Sequence, residues 1–238
     1  MTALLFRNDP YLRTATARVV ALTEDGGVIP DASLFYPRGG GQPGDRGRLS
    51  WDGGSCEIAT TVKAEERVAL IPVEGSACPA IGARIEMALD WDQRYRFMRM
   101  HTALHLLSVV VPLPVTGGQI GAEKSRLDFD MPEATHEREA VQTALIALID
   151  GDHAVTEDWI DEATLDANPS LVKTLSVKPP RGAGRIRLVR IGSRDAPVDL
   201  QPCGGTHVRS TAEIGPVRVG KMENKGRSNR RISITLES

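Results

Sequence analysis

Short alternating or apolar runs dominate the first ninety positions. Residues 16–22, 27–35, 57–62 and 68–73 each read as a strand, and turn chemistry separates them: EDGG at 24–27, RGGGQPGDRG at 38–47 and WDGG at 51–54. Several short strands at this spacing predict a small barrel or closed sheet rather than βαβ units. The segment 38–47 holds Gly39, Gly40, Gly41, Gly44 and Gly47. It reads either as a mobile hairpin loop or as a docking surface that something approaches closely.

The pattern changes near Asp90. Residues 92–111, DQRYRFMRMHTALHLLSVVV, contain no Gly or Pro, and they predict a helix that starts near Asp90 or Asp92 and ends before Pro112. A second helix is expected over 132–149, with Thr135 as N-cap and Val141, Leu145, Leu148 and Ile149 at helical spacing. A third, short one is expected over 159–167. Strand-like segments lie at 119–122, 125–129, 184–191, 198–201, 214–221 and 231–236. The expected class is therefore α+β: a small β-barrel domain over 1–89, then an α+β domain over 90–238.

Composition narrows the setting. The 238 residues suffice for two modest cores. No run reaches the length of a membrane span, and the N-terminus lacks a basic region followed by an apolar core, so a cytoplasmic protein is expected. Three cysteines, Cys56, Cys78 and Cys203, do not make a disulfide framework. Net charge is −2, so a nucleic-acid partner must be held by local patches. Three clusters could supply them: Arg94/Arg96/Arg99, Arg181/Arg185/Arg187/Arg190 and Lys221/Lys225/Arg227/Arg230/Arg231. Any one of them alone reads more readily as a solvated face. Aromatic content of 4% argues against base stacking as the main means of recognition.

The candidate chemistry lies in two separated pairs. His101 and His105, four apart on a helix, project from one face one turn apart. Alone, this spacing fits a structural pair as well as half a metal site. Leu104, Leu106 and Leu107 surround it, so at least one imidazole is expected to face inward, where its nitrogens need partners. In CGGTH, Cys203 to His207, two glycines let both side chains converge from one turn. Together the pairs make the Cys/His₃ set that zinc prefers. HTALH lacks the Glu of an HExxH protease, and the HxE plus PCxxC pattern of nucleobase deaminases is absent. His136 and His153 are read as surface residues, and no carboxylate base is placed near the ligand motifs.

RMHTALHLL (99–107), QIGAEKSRLDFD (119–130), QPCGGTHV (201–208) and GRSNRRI (226–232) resemble the motifs of alanyl-tRNA editing proteins, the AlaX family. DASLFYPRGGGQPGDRGRL (31–49) resembles the glycine-rich segment of the longer AlaX form, with its barrel ahead of the editing domain. The resemblance implies a hydrolase that removes serine, and also glycine, from mischarged tRNA for alanine. It implies Zn²⁺ held by His101, His105, Cys203 and His207. It places Gln119 in the pocket that reads the amino acid and Thr102 beside the site as a second catalytic candidate. Two rivals remain: a nucleic-acid-binding module with a structural zinc, and an editing deacylase for another mischarged tRNA, such as a threonyl type.

Overall fold

The computed structural model describes residues 1–133, 136–175 and 184–237. The chain divides into two compact units, Met1–Tyr95 and Arg96–Ser238. In the first, β1 (Ala3–Leu4) and the short helix α1 (Leu5–Asn8) precede β2 (Thr14–Leu22), β3 (Val28–Pro30), β4 (Ala32–Ser33), β5 (Gly47–Trp51), β6 (Gly54–Ala64), β7 (Arg67–Pro72) and β8 (Arg84–Leu89). Six of these strands close a barrel in the order β2-β3-β7-β6-β5-β8, while β1 pairs with β4 in parallel. Period-two alternation explains the closure. In β8, Ile85, Met87 and Leu89 face inward while Arg84, Glu86 and Ala88 face out. Phe35, Leu49, Ile58 and Leu70 fill the same interior. Closure leaves the barrel strands without a free edge.

Glycines and charge tie part of residues 38–47 to this barrel, while Arg38, Gly40, Gly41 and Arg46 remain exposed. A Cβ at Gly44 would collide with the backbone carbonyl of Thr61. Asp45 is fully buried, accepts from Tyr36 N at 2.6 Å and forms an ion pair with Arg94. Arg94 also donates to the carbonyls of Pro10 and Leu34, at 2.9 and 2.8 Å. That removes Arg94 from the candidate patches.

Helix α2 spans Trp91–Val110, and Asp90 caps it by accepting from Gln93 N at 3.1 Å. There follow β9 (Val115–Gln119), β10 (Lys124–Asp130), α3 (Arg138–Asp150), β11 (Val155–Ile160), α4 (Glu162–Ala167), β12 (Ile186–Gly192), β13 (Pro197–Pro202), β14 (Val217–Val219), β15 (Glu223–Asn224) and β16 (Asn229–Leu236). One sheet runs β14-β16-β10-β9, with β15 paired to β16, and a second runs β11-β12-β13. Both are antiparallel throughout. Gln142 on α3 covers the β14 edge: its amide donates to Val217 O at 2.8 Å and its oxygen accepts from Val219 N at 2.6 Å.

Several expected boundaries shift. The helix expected over 132–149 begins at Arg138, and the Thr135 cap lies outside the described residues. The helix expected from Trp159 begins at Glu162, where Asp161 accepts from Thr164 N at 2.6 Å. Trp159 and Ile160 instead end β11, paired with Arg187 and Ile186. The strand expected over 119–122 ends at Gln119 and starts at Val115. Gly117 and Gly118 sit inside it, paired across from Asp128 and Leu127. The strand expected over 214–221 shortens to β14, after a 3-10 turn over Thr211–Ile214 capped by Ser210. No helix is long and apolar enough to cross a membrane, among the described residues.

Candidate metal centre

Helix α2 is buried on all sides through its second half: Met98, Met100, Ala103, Leu104, Leu106 and Leu107 are all inaccessible. His101 and His105 share that fate at 7% and 6% exposure, so both imidazoles face inward. Opposite them β13 delivers the CGGTH turn. His207 is buried and Cys203 half-buried, with Gly204 exposed at the tip. The Cys203 Sγ lies 3.5 Å from His101 Nε2 and 3.3 Å from His207 Nε2. One donor atom from each of His101, His105, Cys203 and His207 falls within 4.8 Å of every other, a group that could hold a metal ion.

The remaining ring nitrogens determine which atoms face the centre. His105 Nδ1 donates to Asp199 Oδ2 at 2.9 Å, which turns Nε2 toward Cys203 and the centre. Thr102 Oγ1 donates to Met98 O at 2.9 Å, so toward His207 Nδ1, 3.1 Å away, it acts as acceptor. It also accepts from Val208 N at 3.3 Å. His207 Nε2 is thereby turned toward Cys203 and the centre as well. Thr102 is fully buried with its hydroxyl engaged.

Charge in this group is contested. Burial raises the Cys203 thiol, but His101 and His207 outweigh it and hold it well below its usual value. Burial and then the charge of His101 push His207 well down, against the pull of Cys203. Burial also pulls His105 down, yet its hydrogen bonds to Asp199 and Cys203, which accept from it, lift it to about 9. Burial raises Asp199, but His105, Lys173 and Gln201 bring it to about 2. A thiolate enclosed by imidazoles that cannot all be protonated is a site suited to a cation. The spacing fits too. Tetrahedral N and S donors around zinc would stand about 3.3–3.8 Å apart, and two of the three sulfur–nitrogen edges are 3.5 and 3.3 Å.

A backbone clamp holds the turn. Arg187 on β12, 7% exposed in its side chain, donates from Nη1 to Cys203 O at 2.8 Å and Gly205 O at 3.0 Å, and from Nη2 to Glu157 at 2.5 Å. Sequence reasoning had placed Arg187 in a surface cluster. Its neighbours there are also occupied: Arg190 pairs with Asp158, Arg185 lies 5.7 Å over the Trp159 ring, and Arg181 falls outside the described residues. In the first cluster, Arg99 donates to Ile214 O at 2.7 Å. In the third, Arg231 pairs with Asp128, while Lys221, Lys225 and Arg227 remain exposed. Gln119 sits exposed at the end of β9, its oxygen accepting from Arg126 Nε at 3.4 Å. No hydrogen bond joins it to the four-residue group among the described residues. His136 and His153 are partly exposed.

Sequence reasoning missed Asp199. It is a carboxylate against a ligand histidine, where none was expected. Both its oxygens are engaged, so it is not a free base: Oδ1 accepts from Lys173 at 2.5 Å, and Oδ2 from His105 and, at 2.8 Å, from Gln201. The only signal was a charged residue in the strand-like VDLQP.

Residues 186–233 match the family described as "Threonyl and Alanyl tRNA synthetase second additional domain", which covers β12 to most of β16 and contains the CGGTH turn. Over its whole length the chain is 36% identical to alanyl-tRNA editing protein AlaX-M of Methanosarcina acetivorans, 99% of each chain being covered. It is 30% identical to AlaX-L of Pyrococcus horikoshii, covering 99% of this chain and 58% of that one. It is also 35% identical to the alanine–tRNA ligase of Pyrobaculum neutrophilum, over 93% of this chain and 25% of the ligase. The chain belongs to the AlaX family of alanyl-tRNA editing proteins.

Proposed function

We propose that the chain hydrolyses the ester linking a wrong amino acid, serine first and glycine second, to tRNA for alanine, with zinc held by His101, His105, Cys203 and His207. The observation that carries the reading is the convergence of three imidazoles and one thiolate in a chain that matches an editing protein from end to end. Zinc, when bound, supplies charge to a carbonyl oxygen and lowers the pKa of a bound water. The remaining work falls to the chain's own residues. Asp199 and Thr102 fix the rings of His105 and His207, so Thr102 acts through His207 rather than on the ester. Cys203 is half-buried on a glycine-flanked turn, and this makes it the ligand placed to give way to substrate.

Selectivity requires a group that gains a partner from the serine hydroxyl. An apolar pocket separates such isosteres only about 100-fold, whereas a polar group left unpaired by alanine does better. Gln119 suits that role: its carboxamide is exposed and held by one long bond from Arg126.

The test is deacylation of seryl-, glycyl- and alanyl-tRNA for alanine, with metal content measured in parallel. Wild type should cleave the first two and spare the third. Cys203→Ala should lose both zinc and cleavage, and Gln119→Ala should keep zinc and lose the preference for serine. Zinc-replete wild type that leaves seryl-tRNA intact would favour the structural-zinc, RNA-binding alternative. Cleavage of mischarged threonyl-tRNA instead would move the substrate.

A further inference from the structure

We infer that Asp199 is a positioning residue for the metal ligand His105, and that Lys173 in turn holds Asp199. The inference rests on the metal site proposed above. Its starting point is the inward face of β13, where Asp199 and Gln201 are buried and Val198 and Leu200 are only half-buried. A strand packed on a core normally presents its apolar residues inward. Here the pattern is inverted. The polar face meets α2 at His105 and Ser108: Asp199 Oδ2 accepts a hydrogen bond from His105 Nδ1, and Gln201 Nε2 reaches both Asp199 Oδ2, at 2.8 Å, and Ser108 Oγ, at 3.4 Å.

The Asp199 side chain is fully inaccessible, and burying a carboxylate is costly unless every oxygen is bonded. Each of its bonds points to one task. The bond to Nδ1 selects the tautomer with Nε2 bare, fixes the ring's rotation and makes Nε2 a better donor. The Lys173 bond at 2.5 Å holds the other oxygen, so the carboxylate cannot rotate away from His105. Lys173 is itself anchored. Its carbonyl accepts from Val115 N at 3.0 Å and Leu175 N donates to Val115 O at 2.8 Å, so the backbone around Lys173 brackets the first residue of β9. A support for His105 thus runs from α2 through β13 to the strand that ends at Gln119.

An ordinary buried ion pair would support folding and leave metal binding untouched, so the test reads the metal. Full-length Asp199→Asn and Lys173→Met are titrated with zinc against a chromophoric chelator, and with cobalt(II) for its ligand-field spectrum. Outer-sphere partners of ligand histidines are worth about 10–100-fold in metal affinity, and Asp199→Asn should lose that much and shift the cobalt bands. Asp199→Glu should recover part of the loss, and Lys173→Met should weaken zinc by roughly threefold or more, less than a direct partner of the ligand because Lys173 acts through Asp199. If Asp199→Asn binds zinc within twofold of wild type, with an unchanged cobalt spectrum, the inference is overturned while the metal site stands. Wild type that takes up neither metal overturns both. Should Asp199→Asn fail to fold, the half-exposed Lys173 carries the test, and unchanged zinc affinity in Lys173→Met overturns the inference.

Discussion

Arg187→Lys separates a residue that shapes the CGGTH turn from one that touches RNA. The guanidinium makes three bonds: two to the carbonyls of Cys203 and Gly205, and one to Glu157. Its Nε has no partner among the described residues, so the other nitrogens carry all of its function. An ammonium is a compact donor on a shorter reach and cannot span two carbonyls and a carboxylate at once. If lysine keeps the ion pair and one carbonyl, one charge-assisted hydrogen bond is lost from the turn, worth about 1.5–3 kcal/mol. Should the turn have to be rebuilt each time metal binds, the loss converts to roughly 10–100-fold in metal affinity. Competition against a chelator measures this, beside a urea titration that reports the fold. A zinc affinity within twofold of wild type, with a lowered urea midpoint, would refute the clamp. So would intact zinc binding coupled to weaker tRNA binding, because it would restore Arg187 to the surface role that its place in a charge cluster suggested.

That cluster marks where sequence and structure part. His101 and His105 were legible because a helix without Gly or Pro converts a spacing of four into one face, and the CGGTH pair because ligand types and glycines sit together in five residues. These patterns are local. What supports them is not. Asp199 is 94 positions from His105, Arg94 is 49 from Asp45, and Arg187 is 30 from Glu157. Arg94 and Arg187 read as patches or solvated faces, and Asp199 was missed, because only the folded chain supplies the opposite charge. The barrel was legible as a class from its turns, yet β5 and β8 were missed. Their apolar positions alternate with Arg48, Arg84 and Glu86, and so few inward residues make a weak period. β9 was displaced for another reason: two glycines punctuate a sequence but can lie in a strand when a neighbour's side chain needs the room.

Two further tests concern charges outside the four-residue group. Lys221, Lys225 and Arg227 are the exposed part of the third basic cluster, with Glu223 beside them as the near acid. If they contact tRNA phosphates, replacing all three with alanine should lower the slope of log affinity against log salt by about two to three. An unchanged slope would make them a solvated face. Asp128 offers a test in pH. Burial raises its carboxyl, but the hydrogen bond from Arg231 and then Arg126 outweigh this and hold it below the ordinary value of 3.8. The unfolded chain therefore takes up this proton before the folded one does. The stabilisation is whole above the unfolded value, near pH 4, and is lost as pH falls toward and through the lower folded value. Metal-free Asp128→Asn should accordingly show a flatter fall of urea midpoint below about pH 4 than wild type, though it starts from a lower midpoint at neutral pH. Parallel curves for the two proteins would mean that Arg126 and Arg231 are too well solvated to favour the ionised carboxylate, and that the rungs of this sheet face are held by their ladder bonds alone.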